Sequence, residues 1–205
     1  MTRSGRVCDI PRERGDEAVE VLTSALSPYA TMRWICRGDR PGFEERLRAV
    51  YDVAVAMQFV EGQPLLGILE DKHVAGVAVV HDPGRALTPR SALVGLFRSL
   101  GSRARSTLVR GYRYETAIEH IRPREPHHFL SVVGVSPERQ RSGLGRALMA
   151  ALHARADADP TSIGVCLDTC DPDNRAYYES LGYSVIAECE TGPLHQWVML
   201  RAARR

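Results

Sequence analysis

FLSVVGVSPERQRSGLGRALM, residues Phe129 to Met149, is the stretch on which the reading of this chain turns. Its first third is an apolar, β-branched run stopped by Ser136 and Pro137, the pattern of a buried strand. From Gly143 onward Leu144, Leu148, Ala151 and Leu152 recur at spacings of three and four, which marks one face of a helix. Between the two lies Arg139-Gln140-Arg141-Ser142-Gly143-Leu144-Gly145, with two glycines where strand turns into helix and no acid after Glu138. A helix start normally attracts Asp or Glu to its partial positive charge, yet Arg139, Arg141 and Arg146 surround this one. An anion held by the free N–H groups of the first turn would relieve that repulsion. The alternative is an ordinary N-cap at Ser142, a tight glycine turn and solvated arginines. The turn lacks the Gly-Lys-Ser/Thr ending of a nucleotide-triphosphate loop.

Downstream, Thr161 to Thr169 reads as a strand, and Asp171-Pro172-Asp173 as a turn in which Asn174 can cap the next helix. Tyr178 falls one helical turn beyond Asn174, Leu181 should face the core, and Gly182 stops the helix. Tyr183 to Glu188 and Gln196 to Leu200 supply two last strands, and Arg201 to Arg205 reads as a frayed basic tail. Upstream, Arg6 to Ile10 is a short strand and Asp16 opens a helix to Ser27 with Ala18, Leu22 and Ala25 inward. Pro41-Gly42 opens a second helix with Phe43, Leu47, Val50, Tyr51, Ala54 and Met57 on one stripe. Pro28 to Arg40, with Tyr29, Met32 and Trp34, is poorly periodic. Pro64 to Glu70 and Val74 to His81 form a hairpin about Asp71-Lys72-His73.

Arg85 to Glu119 reads as two helices. It holds Arg85, Arg90, Arg98, Arg103, Arg105, Arg110 and Arg113, while Leu93, Leu96, Phe97 and Leu100 offer an inner face. Few aromatics interleave with these arginines, so a solvated helix face is favoured over a nucleic-acid arm. Glu115 and Glu119 follow at a helical interval of four. Such a pair either holds a cationic amine and takes its proton, or forms a solvated edge pairing an arginine for under about 1 kcal/mol. His127 and His128 are neighbours on a strand and point to opposite faces, so they do not chelate one metal together. One of them is either a base or a packed side chain.

At 205 residues the chain fits one domain, and its net charge of +2 points to neither nucleic acid nor membrane. Five cysteines, at positions 8, 36, 166, 170 and 189, give no C-x-x-C metal spacing, and the N-terminus is charged where a signal core should be apolar. Reduced thiols in the cytoplasm and no metal are the expectation. No apolar run approaches the ~18 residues of a membrane span.

Gln140-x-x-Gly143-x-Gly145 after Val133-Gly134-Val135-Ser136-Pro137 resembles the acyl-CoA pyrophosphate loop of the GCN5-related N-acetyltransferases (GNAT). The later block LDTCDPDNRAYYESLGY, Leu167 to Tyr183, is similar to that family's second motif, with Asn174, Tyr178, Gly182 and Tyr183 in the recurring places. Arg122-Pro123-Arg124-Glu125-Pro126 and the Trp197 strand look most like the puromycin N-acetyltransferase branch. The resemblance implies a single α/β domain over 1–205: a mixed central sheet of six to seven strands with a splayed central pair, flanked by helices, and a helical insertion at about 85–121. It implies acetyl-CoA held by Gln140, Arg141, Ser142, Gly143, Leu144, Gly145, Arg146 and Asn174, with its pantetheine arm along Val133, Gly134 and Val135. Gly134, having no side chain, also invites a strand bulge there.

The resemblance also implies that Tyr178 takes the catalytic place, protonating the departing thiolate, and that Trp34 lies beside the acceptor, for which Glu115, Glu119 and His128 are the candidates the residues themselves offer. The activity implied is direct acetyl transfer to a primary amine of a small molecule by a monomer or homodimer. The alternatives are a non-catalytic acyl-CoA sensor, a longer acyl donor, or a protein amine. Two departures stand out: Arg141-Ser142 replaces the family's usual glycine and basic residue, and Asp168 stands where puromycin-type relatives carry Glu.

Overall fold

The computed structural model describes residues 6–84, 101 and 104–205. Seven strands form one sheet in the order β1-β2-β3-β4-β5-β7-β6. They are β1 (Val7–Asp9), β2 (Leu65–Glu70), β3 (His73–His81), β4 (His128–Val135), β5 (Gly164–Thr169), β6 (Ser184–Thr191) and β7 (Leu194–Ala202). Every neighbouring pair is antiparallel except β4 and β5. The two-residue turn between β2 and β3 puts Asp71 and Lys72 at φ 49° and 70°. Left-handed residues at both turn positions match the twist of the strands they join.

Period-two alternation divides the core between the faces of the sheet. Val77, Val79, Phe129, Cys166 and Val198 face α1 (Gly15–Leu26), α2 (Ala30–Ile35), α3 (Phe43–Glu61) and α4 (Ala104–Glu119). Ala78, Val80, Leu130, Val165, Leu167 and Met199 face α5 (Leu144–Ala158) and α6 (Pro172–Ser180). The expected helix face of Leu144, Leu148 and Leu152 is buried there. Of the two helices read between Arg85 and Glu119, α4 is the second; Arg85, Arg90, Arg98, Arg103, Leu93, Leu96, Phe97 and Leu100 lie outside the described residues.

Several expectations need correction. The β3–β4 register slips between Val79 and Val80, so the extra residue is Ser131, while Gly134 pairs regularly with Val77. Gly134 is glycine for another reason: a Cβ there would stand 3.1 Å from Ala25 Cβ and 3.2 Å from Leu22 Cδ2, so α1 lies directly on it. The segment around Trp34 contains α2. The inner face of α3 carries the buried polar residues Arg46 and Gln58 beside Leu47 and Tyr51. Arg46 donates to the carbonyls of Cys36, Arg37, Arg40 and Pro41 at 2.8 to 3.2 Å, which ties down the α2–α3 loop.

Nor is the C-terminal end frayed. Arg201 is buried in β7 and donates to both carboxylate oxygens of Asp157 at 2.9 and 3.0 Å. Beyond it, Ala203 N donates to Ile163 O and Arg204 N to Asp157 Oδ1, each at 2.9 Å. Among the described residues no helix is long and apolar enough to cross a membrane.

Candidate active site

β4 and β5 lie side by side only through His128–Val165, Phe129–Cys166 and Leu130–Leu167. Beyond Leu130 they diverge, and the edge of β4 that faces β5 has no strand partner through Val135 among the described residues. Val132, Val133 and Val135 are accordingly only half-buried although their strand is central. β4 then runs into a short 3-10 turn, Pro137–Arg139, and α5 begins after Gly143.

The turn is built to leave donors free. Arg139 N and Gln140 N bond back to Ser136 O and Pro137 O, and the first helical bond is Ala147 N to Gly143 O at 3.0 Å. The N–H groups of Arg141, Ser142, Gly143, Leu144, Gly145 and Arg146 have no acceptor among the described residues. Gly143, at φ 90°, takes the N-cap position, so Ser142 is not the cap; its hydroxyl donates to Arg139 O instead. Arg141 is held at φ 60°, a left-handed conformation costly for any residue with a Cβ. This is the place where the resembling family commonly has glycine. Gln140 Nε2 donates to Val135 O at 3.3 Å and closes the turn onto the end of β4.

The arginines separate into two kinds. Arg139 pairs with Glu70 at 3.1 Å and Asp71 at 3.6 Å, so its charge is spent on the β2–β3 turn. Arg141 and Arg146 form no ion pair among the described residues. Positive charge, free amides and a helix N-terminus therefore converge on one corner suited to an anion of the diphosphate kind.

Across the opening stands α6, started by Pro172 and capped by Asp171, whose carboxylate accepts from Asp173 N and Asn174 N. Asn174 is thus not the cap. Its Nδ2 donates to the Tyr29 hydroxyl at 2.8 Å, and that hydroxyl bonds Thr169 Oγ1 at 2.8 Å. Burial pushes Tyr29 up to about 12 against the opposing effect of those two bonds. Tyr178 is buried between Tyr177 and Tyr183, whose ring centroids lie 5.5 and 5.7 Å away. Burial, with Tyr29 adding to it, raises the Tyr178 phenol well above its ordinary range, so it keeps its proton. Tyr177 faces the corner: a Cβ on Gly145 would lie 3.9 Å from its hydroxyl.

At the diverging end of β5 five polar side chains gather. Tyr114 of α4 donates to Asp168 Oδ2. Arg122 reaches Glu119 at 3.2 Å and Glu115 at 3.5 Å while its guanidinium lies 3.5 Å over the Phe129 ring. Desolvation raises the carboxyls of both Glu115 and Asp168, Asp168 adds to the shift of Glu115, and Arg122 opposes it in both. The Glu115 side chain nonetheless remains 64% open, so water or an amine can reach it. Glu119 is a solvated edge residue paired to Arg122. Trp34 carries Arg110 on its ring at 5.3 Å and packs on the β6–β7 turn, where a Cβ at Gly192 would stand 2.7 Å from the indole.

His128 is not part of this constellation. It is buried at the opposite end of β4, with Nδ1 3.0 Å from Ser162 Oγ and Nε2 3.5 Å from Asp82, and burial lowers its pKa. A strand carries successive side chains to opposite faces, and this one faces into packed protein. Sequence reasoning gave Tyr29 no more weight than Met32 and did not single out Tyr114. An acid inside the apolar run of β5 is the signal that marks Asp168.

Residues 109–185 match the family model described as acetyltransferase (GNAT) domain. Among solved structures, the chain is similar to a protein from Corynebacterium glutamicum titled histone acetyltransferase HPA2 and related acetyltransferase, at 20% identity over 98% of both chains, TM-score 0.69. It is similar to the ribosomal-protein-S18-alanine N-acetyltransferase of Escherichia coli at 14% identity over 98% of this chain and 96% of that one, TM-score 0.55. It also resembles Chaetomium thermophilum Naa20, solved with a bisubstrate analogue, at 17% identity over 96% and 86% of the two chains, TM-score 0.53. The parted central strands and the corner of free amides accompany the matched segment: residues 109–185 are similar to the acetyltransferase (GNAT) domain, and the fold of the whole chain is the one these solved acetyltransferases share.

Proposed function

We propose that this enzyme moves an acetyl group from acetyl-CoA to the primary amine of a small molecule. The observation that carries the reading is the opened β4 edge leading straight into six amides that have no partner among the described residues, with a carboxylate cluster at the other lip of the same opening. The donor's diphosphate sits on the amides of Arg141 to Arg146, backed by the Arg141 and Arg146 charges. Its pantetheine arm runs along Val133, Gly134 and Val135, replacing the missing strand partner.

An alkyl ammonium near pKa 10.4 must lose a proton, which costs about 4 to 5 kcal/mol at pH 7 unless the site assists. Glu115 and Asp168 hold the cation, and the raised Asp168 carboxylate, in concert with Glu115, accepts the proton. The free amine attacks the thioester carbon, and an N–H of the parted β4 edge stabilises the oxyanion. Collapse of the intermediate expels the thiolate, which takes the Tyr178 proton. No cysteine is assigned an acyl-enzyme role.

A small acceptor is favoured over a polypeptide because α2, α4 and the β6–β7 turn meet over the end of β5. Tyr29 bonds Thr169, Tyr114 bonds Asp168, and Trp34 locks against Gly192 and Arg110. The Arg122–Pro126 and Trp197 wording supports the same class, although the shorter Asp168 argues for an acceptor other than puromycin itself.

CoA release from acetyl-CoA across a panel of small amines and amino-terminal peptides, with products identified by mass spectrometry, tests this. Turnover of peptides alone would overturn the small-molecule reading, and calorimetry without any heat from CoA would overturn the corner assignment.

A further inference from the structure

Of the phenols around α6, Tyr29 bonds Asn174 and Thr169, Tyr183 bonds His153 Nε2 at 3.0 Å, and Tyr178 is buried. Tyr177 differs from all of them. It is half-buried, and its hydroxyl has no hydrogen-bond partner among the described residues; unlike the Tyr51 hydroxyl, it is not shut away from solvent.

The place of that hydroxyl decides what it can do. A Cβ added at Gly145 would stand 3.9 Å from the Tyr177 hydroxyl and 3.8 Å from Val135 Cγ2. Cα–Cβ bonds in a helix tilt toward its N-terminus, so this gap between the end of β4, the first turn of α5 and α6 opens on the side of the free amides. Gly145 is not in the left-handed region, and both distances are ordinary contacts. Neither backbone strain nor collision therefore calls for glycine at this position, where it weakens the helix relative to alanine. What glycine preserves is the space.

Charge selects what enters that space. Burial raises the Tyr177 phenol and the nearby Arg146 charge opposes the rise, so the group keeps its proton and remains a donor. A phenol O–H beside free amides and the Arg141 and Arg146 charges complements an anion, and its bond to a phosphate oxygen is charge-assisted. We propose that the Tyr177 hydroxyl donates to the diphosphate of the acyl donor, so that the site prefers a donor carrying a diphosphate to a shorter thioester. This inference rests on the acetyl-CoA reading above.

Calorimetry and phosphorus NMR of the full chain with CoA and with 3′-dephospho-CoA test it, comparing the native protein with Tyr177→Phe, which keeps the ring and its packing on Tyr178. The variant should bind both ligands about tenfold more weakly. The diphosphate resonances of bound CoA should move relative to the native complex, while that of the 3′-phosphate stays. Gly145→Ala, which fills the gap, should melt no lower than the native protein and yet weaken CoA by a similar factor. Equal affinity of native and Tyr177→Phe protein for CoA would overturn the inference, as would a loss seen with CoA and absent with 3′-dephospho-CoA, unmoved diphosphate resonances, or native affinity in Gly145→Ala. No heat from CoA with the native protein would instead overturn the donor reading itself, and this inference with it.

Discussion

Tyr178 is a protonated phenol buried among other phenols, and that fits a group that gives a proton late in a reaction. Tyr178→Phe removes the hydroxyl and little of the packing, so kcat should fall by about 10² to 10⁴ while the affinity for CoA, read by calorimetry, stays nearly unchanged. Asp168 is raised mainly by burial, which has two consequences of opposite sign. A carboxyl whose folded pKa exceeds its unfolded value loses stability for the protein as pH rises through the folded value. Asp168→Asn should therefore melt about 2–4 °C higher at pH 7. The same change should cost at least about tenfold in kcat/KM and shift the acid limb of the pH–rate profile. The turn at Gly143 and the placing of Tyr178 on the following helix were legible because chain-local spacing carries them. The link from Tyr29 to Asn174 joins residues far apart in sequence, and no local pattern encodes it.

Among the elements, β3, β4, α5 and α6 follow from periodicity, and the departures from expectation have physical causes. A bulge belongs to a pair of strands, so Ser131 carries no mark of it in sequence, whereas Gly134 looked like the kink and is a seat for α1. Gly134→Val should destabilise by about 1–3 kcal/mol through overpacking against Leu22 and Ala25, lowering Tm by about 3–9 °C, with Gly134→Ala in between. The basic terminus read as solvated because its counter-charge, Asp157, sits on α5 far back in the chain. The Arg201 hydrogen bonds hold the Asp157 carboxyl down at about 2. That stabilisation is present above the ordinary unfolded value near 3.9 and is lost as pH falls through about 2. Asp157→Asn should cost about 1–2 kcal/mol at pH 7, allowing for its partial exposure, and the gap to the native protein in thermal melts should close between pH 4 and 2.

Across the sheet, three residue pairs between β4 and β5 are the strand pairing that, among the described residues, joins one half, β1 to β4, to the other, β5 to β7. The remaining connections are the loop bond from Ile163 N to Pro126 O, side-chain bonds such as Tyr29 to Thr169 and Tyr114 to Asp168, and packing from the helices above and below. A protein joined this way behaves as two plates on a short hinge pin, and a donor lodged between them becomes a rivet. Adding CoA should slow amide hydrogen exchange at Val132 to Val135 and at Thr169 together, by at least about tenfold, while β1 and β6 at the outer margins change little. On the proposed reading, stiffness is something the acetyl donor lends and withdraws in every turnover, so thermal resistance in a cell would track the level of CoA thioesters.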